Sequence, residues 1–509
     1  MTQLALYRLL SFTTTLLLSL SGASAQAAVC RASPTGTGDG STWAQAAPLP
    51  AALADAACTE IWLAQGSYSQ AADAEGFRIA RNLALYGGFM GTESTLAERP
   101  APVNASATVL DGENQRRVLY LDGTTPGGHI TASTVIDGLS IARGHAAMDA
   151  GGGLLCHGPC SPRITHVIFS GNFAAGGGGA IFNRAMSMAP ASPTISHSTF
   201  SGNRASSGGA IANFAPGAIA SPAISHSTFH DNHAATHGGA IYSNGGHLGN
   251  SSPVITHSTF SGNTAQEGGA LYSLGGGGGI SMPQVIASIF WGNTTTTGPQ
   301  ISDIIEASTT VSHSIVEGGF AGTGNLALDP QLGPLQDNGG PTLTRMPGAT
   351  GSAIDAVDCA ATGATTDQRG AARPQGSQCD IGAVERRLGS YPLNIDITGH
   401  GTVAGGPAPC ATTNAATCAF TYTDEGAPLH VTLAATPGTG QAFAGWGGAC
   451  TGTGATCTVA IDGARSVSAR FAPTAGPGPG GAQPIPTLGG GALALLGALL
   501  GLLALRRRV

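Results

Sequence analysis

Four close copies of one dodecapeptide occupy the middle of the chain: SPRITHVIFSGN from Ser161, SPTISHSTFSGN from Ser192, SPAISHSTFHDN from Ser221 and SPVITHSTFSGN from Ser252. A worn fifth copy, MPQVIASIFWGN, starts at Met282. Their phenylalanines, Phe169, Phe200, Phe229, Phe260 and Phe290, are 31, 29, 31 and 30 residues apart. Between them GGAI recurs, ending at Ile181, Ile211 and Ile241, and then GGAL ending at Leu271, at intervals of 30. Short β-rich runs at this period, without helical periodicity, describe coils of a solenoid, none of which can bury its apolar face alone. Stacking puts each Ile and Phe over its equivalent at the inter-strand distance of about 4.8 Å. The paired glycines allow close backbone approach where the coil turns. The fold class expected is all-β, a parallel β-helix over residues 61–388.

Weaker coils extend the body toward the N-terminus through Ile61-Trp62-Leu63, Leu83 to Tyr86, Val109 to Gly112 and Val135 to Leu139. The Ala-rich stretch from Leu49 to Ala57 reads as a short amphipathic helix. It would close the open end of the solenoid within a capping segment, 26–60. Ahead of it, Arg8, the apolar run Leu9 to Leu20 and the small residues Ala23, Ser24 and Ala25 form a secretory signal over residues 1–25. Export makes disulfides the natural reading of ten cysteines that fall into local pairs. These are Cys30 with Cys58, Cys156 with Cys160, Cys359 with Cys379, Cys410 with Cys418, and Cys450 with Cys457.

Every cation in the chain is Arg, 21 in all, so lysine nucleophiles and phosphate loops that need Lys are excluded. Between Arg204 and Arg345 there is no cationic residue at all. That stretch offers nucleic acid or an acidic polysaccharide no clamp, and no nucleic-acid partner is expected.

Histidine recurs at one repeat position: His166, His197, His226 and His257, with His313 in a similar context. Stacked imidazoles at coil spacing repel if charged, so a structural ladder of neutral rings exchanging hydrogen bonds is expected in place of an asparagine ladder. A second, irregular set gathers His230, Asp231, His233 and His237 in one loop, with Glu267 one coil beyond His237. Imidazole beside carboxylate suits acid–base work or Zn²⁺, and these five are the candidate catalytic residues. Hydrolases need carboxylates paired at a fixed separation, and Asp231 and Glu267 are the only acidic residues between Arg204 and Gly298, which counts against hydrolysis. No cofactor and no metal is expected.

The run LYGGFMGTE from Leu85, the GGAI repeats and the closing segments Asp337 to Ala356 and Thr366 to Glu385 resemble the choice-of-anchor Q family of bacterial surface β-helices. They are also similar to polymorphic outer-membrane repeats and the wider pectin-lyase-like fold. The resemblance implies a right-handed helix and a surface protein, without established chemistry. Residues 393–472 change to separate short strands and resemble the divergent internalin-type B-repeat, with Phe443 and Trp446 expected at its core.

A Pro/Gly linker, 473–483, leads into residues 484–509: Pro484, Ile485, Pro486, Thr487 and Leu488, then 17 residues of Gly, Ala and Leu, then three arginines. As a helix the 18 residues from Leu488 to Leu505 would extend about 27 Å, enough to span a membrane. The whole resembles the IPTL-CTERM sorting signal, although Gly489-Gly490-Gly491 replaces the more polar segment common there. Expected partners are therefore a membrane, a C-terminal sorting protease and an extracellular ligand. The function expected is non-enzymatic display or adhesion at the cell surface, with a carbohydrate-active enzyme on a neutral polysaccharide as the alternative.

Overall fold

The computed structural model describes residues 28–70, 75–186, 189–387, 389–423, 429–461 and 464–474. The expected export signal, sorting motif and membrane helix lie outside these residues; among the described residues no helix is long and apolar enough to cross a membrane. Contacts divide the chain into two compact units that meet in sequence at Leu388 and Gly389.

The first unit is a parallel β-solenoid of about nine turns. Three sheets run along it. One contains eight parallel strands, including Leu154–His157, Ile181–Arg184, Ile211–Phe214, Ile241–Asn244 and Leu271–Leu274. A narrow sheet of six strands includes Phe173–Gly177, Arg204–Ser207 and His233–His237. The third, broad sheet takes one continuous strand, Arg163–Ser170, from the first dodecapeptide and two short strands from each later copy, such as Thr194–Ser196 and Thr199–Ser201.

Register follows the repeat residue by residue. Ile164, Ile195, Ile224, Ile255 and Val285 are aligned in adjacent coils, as are Phe169, Phe200, Phe229, Phe260 and Phe290. The five phenyl rings are fully buried and stack with centroids 4.5–4.8 Å apart. Burial of each contributes about 1.5–3 kcal/mol, which no single coil could gain without its neighbours.

At the N-terminal end the helix spans Leu49–Ala54 and buries Leu49, Ala52 and Leu53. Strand Ala28–Ala32 already pairs with Cys58–Ala64, so the first coil begins inside the segment expected only to cap. The disulfide Cys30–Cys58 joins these two strands.

Beyond the last coil the chain turns back as a strap over the broad sheet. The hairpin pairing Leu335–Gln336 with Thr344–Arg345 reaches Ala105, whose N–H donates to the Pro341 carbonyl at 3.2 Å. Further contacts fix the strap to successive coils. Thr342 Oγ1 donates to the His197 carbonyl at 3.1 Å, Thr199 Oγ1 to that of Leu343 at 2.5 Å, and Thr228 Oγ1 to Gln368 Oε1 at 2.7 Å. The Ala383 N–H donates to Thr259 Oγ1 at 3.1 Å, and Gly382 to the Ala287 carbonyl at 2.9 Å. The strap has its own buried knot, Arg373 paired with Glu385 at 2.8 Å with both side chains 0% exposed, and a disulfide, Cys359–Cys379.

The second unit is a pair of four-stranded sheets. Its core is chiefly aliphatic, built from Leu393, Ile395, Ile397, Val403, Leu433, Val459, Val467 and Phe471. Trp446 belongs to this core, donating to the Gly454 carbonyl at 2.8 Å, while Phe443 is only half-buried against it. Trp446 is thus in the core as expected and Phe443 packs against it, while strand alternation supplies most of the other inward side chains. Cys410–Cys418 and Cys450–Cys457 staple the unit.

Candidate functional site

The recurring histidines sit at the bend of each dodecapeptide: His166 lies inside the continuous strand Arg163–Ser170, whereas His197, His226 and His257 stand where the strand is split in two. His166, His197, His226, His257 and His313 have φ of 52°, 51°, 46°, 45° and 50°, with Gly138 and Ala287 in the same conformation in other coils. Histidine is among the few side chains enriched at left-handed positions, which explains its tolerance here. The rings of His197, His226 and His257 stack with centroids 5.1 and 5.3 Å apart and planes within 10°. His166 begins the stack, 5.3 Å from His197, and its Nδ1 lies 2.9 Å from Asp137 Oδ1. Arg99 braces the other oxygen of Asp137 at 2.8 Å.

The stack differs from the expected ladder in one respect. Parallel rings direct their in-plane nitrogens alongside one another instead of at one another, so no hydrogen bonds pass along it. His197 Nδ1 and both ring nitrogens of His226 and His257 are sealed from solvent without a partner. Burial holds the imidazoles well below the ordinary value, His197 down to about 4, and His226 and His257 to about 3. Next to burial, neighbouring rings act on His197 and His226, and Arg373 of the strap acts on His226 and His257.

The hydrogen-bonded ladder is built instead by the asparagine that ends each repeat. Asn172, Asn203, Asn232, Asn263 and Asn293 link Nδ2 to Oδ1 from coil to coil at 2.8–2.9 Å. Each also donates to a carbonyl one coil back, as Asn232 does to Phe200 at 3.0 Å. A serine row accompanies it, Ser198, Ser227, Ser258, Ser288 and Ser314, each hydroxyl accepting a backbone N–H from the preceding coil. The asparagine recurs as faithfully in sequence as the phenylalanine, and that period was the available signal.

The five candidate catalytic residues are brought into separate pairs. His230 Nε2 lies 3.2 Å from Asp231 Oδ2, and its Nδ1 meets the Ser261 carbonyl at 3.0 Å. Burial depresses the His230 imidazole, opposed by the Asp231 charge. His233 contacts Thr264 Oγ1 at 2.8 Å on the exposed narrow sheet. His237 and Glu267 pair through their backbones, as the coil spacing requires, but the His237 ring packs on Tyr272 at 4.4 Å. Among the described residues the one cluster of three metal-type side chains is Cys30, Asp55 and Cys58, whose sulfurs are already bonded together.

Gln368 escaped the sequence reading although it holds the strap in place. Its fully buried amide accepts from Thr228 and donates to Thr199 Oγ1 at 3.0 Å and Thr342 Oγ1 at 2.9 Å. The threonines preceding Phe200, Phe229 and Phe260 mark where the strap docks, a role that local periodicity cannot reveal because the partner of Thr228 lies 140 residues away.

These features define a repeat β-solenoid with a folded-back strap, followed in sequence by a separate β unit. Residues 166–184, 197–213 and 226–244 match the Chlamydia polymorphic membrane protein repeat. Residues 391–475 match the divergent InlB B-repeat domain, and 483–508 match the IPTL-CTERM motif. No curated protein and no solved structure matches the chain. The sorting motif and the membrane-protein repeats point to an exported, cell-surface protein. The strap lies outside all three matches.

Proposed function

We propose that this chain is a non-enzymatic display protein of adhesin type, held at the cell surface through its C-terminal sorting signal and presenting the solenoid to an extracellular ligand. The IPTL-CTERM match at 483–508, behind a repeat solenoid and an accessory β unit, carries this function. A membrane and a sorting protease are its partners at that end. Kinship with choice-of-anchor Q proteins belongs to the same proposal and is supported by the strap sequence. The ligand, a glycan or a protein, is not one held by a cationic clamp, because no Lys or Arg lies between Arg204 and Arg345.

The His230–Asp231 contact favours one alternative, hydrolysis of a neutral polysaccharide at that pair with the His237–Glu267 face. A glycan panel screened with the exported ectodomain for both retention and product release separates the two. Retention without release is expected. Release abolished by Asp231→Asn and Glu267→Gln would replace display with catalysis.

A further inference from the structure

The histidine stack lies beneath the strap, ringed by charged groups from three segments. From the solenoid come Asp137 and His166, from the segment before Ala105 comes Arg99, and from the strap come Asp367 and Arg373. Behind Arg373 stand Arg369, Asp380 and Glu385, all packed within the strap. At neutral pH the three buried rings are uncharged, and beneath the strap their sealed nitrogens have no hydrogen-bond partner. Protonation would place positive charges about one coil apart, against a strap that already contributes a buried guanidinium.

We propose that the strap is an acid-released latch: protonation of the stacked histidines beneath it lifts residues 335–387 from the broad sheet while the stacked coils stay folded. The exposed face would then carry His197, His226 and His257 with the hydroxyls of Thr199, Thr228 and Thr259.

A histidine whose folded value is depressed binds its proton only after opening. Closure is therefore unpenalised above 6.5 and progressively weakened as pH falls from 6.5 toward about 3. Burial pushes Asp380 the other way, up to about 7, and Glu385 also upward, so these two favour closure as pH falls. Three histidines oppose two carboxylates, and the stack sets the net direction. Replacing the histidines should leave the carboxylates in control and reverse it.

Hydrogen exchange of the full exported chain, corrected for intrinsic rates and recorded from pH 7 to pH 3, tests this. Peptides from 335–387 should lose protection at least tenfold within that range, reversibly, while strands Ile211–Phe214 and Ile241–Asn244 keep theirs. In the triple variant His197→Asn, His226→Asn, His257→Asn, whose amides tolerate the left-handed backbone, strap protection should rise between pH 7 and 5. His226→Asn alone, a milder change, should move the release to lower pH. Strap protection that is flat to pH 3, loss shared equally by the coils, or Asn variants that open at the wild-type pH would each overturn the latch.

Discussion

Asn232 donates both amide hydrogens, one to the Phe200 carbonyl a coil back and one to Asn263 a coil ahead, and accepts from Asn203. His226, one strand away, makes no hydrogen bond through its ring. Their removal should therefore differ in cost. Asn232→Ala leaves the Asn203 amide and the Phe200 carbonyl unpaired in a buried site, at about 1–3 kcal/mol for each group. His226→Asn gives up only ring stacking, about 1 kcal/mol, and keeps a side chain suited to φ near 46°. Urea midpoints followed by far-UV circular dichroism should fall clearly for the first and little for the second. The reverse order would mean that the histidine stack, not the asparagine ladder, fastens the coils. The sequence showed both periods equally well. It could not show which residue points its polar atoms along the axis, because that depends on where the backbone turns left-handed.

At the scale of elements, the repeat made the coils legible since stacking forces equal residues into register, as with Phe169 through Phe290. The strap was legible only as a motif. Its docking joins Thr228 to Gln368 and Thr259 to Ala383 across the whole length of the repeat, and no local pattern encodes such a pairing. The candidate loop was half legible: coil spacing placed His237 beside Glu267, but the ring turned to Tyr272. The two units also differ in what sustains them. The solenoid has a continuous apolar core from Cys30 to Val316, whereas the C-terminal unit has a short core and two disulfides. Small cores depend more on such staples. Limited proteolysis under reductant should cut within 391–475 before it cuts the coils from Ser161 to Asn293. Early cleavage in the coils with that unit intact would reverse the assignment.

On the scale of the molecule, three parts act in series: a solenoid with one broad face covered by its own strap, a stapled β unit, and a segment matching a sorting motif. The narrow sheet keeps Phe173, Arg204 and His233 exposed, leaving side chains for contact outside the strap. On the proposed sorting reading, the Gly/Ala/Leu run within residues 484–509 halts export as a helix, and the three arginines beyond it resist passage and set the orientation. A permanent anchor would need only that helix and those charges, so the added PIPTL residues are taken to mark a processing site. Changing Pro486 and Thr487 should then leave an unprocessed, membrane-held precursor. Mass spectrometry of the C-terminal peptide, taken from chains labelled at the surface of native cells, is the most direct measurement of surface display through sorting. Surface chains that end before Arg506 are expected, and recovery of intact Arg506-Arg507-Arg508 on the surface-labelled form would contradict processing and leave a plain anchor.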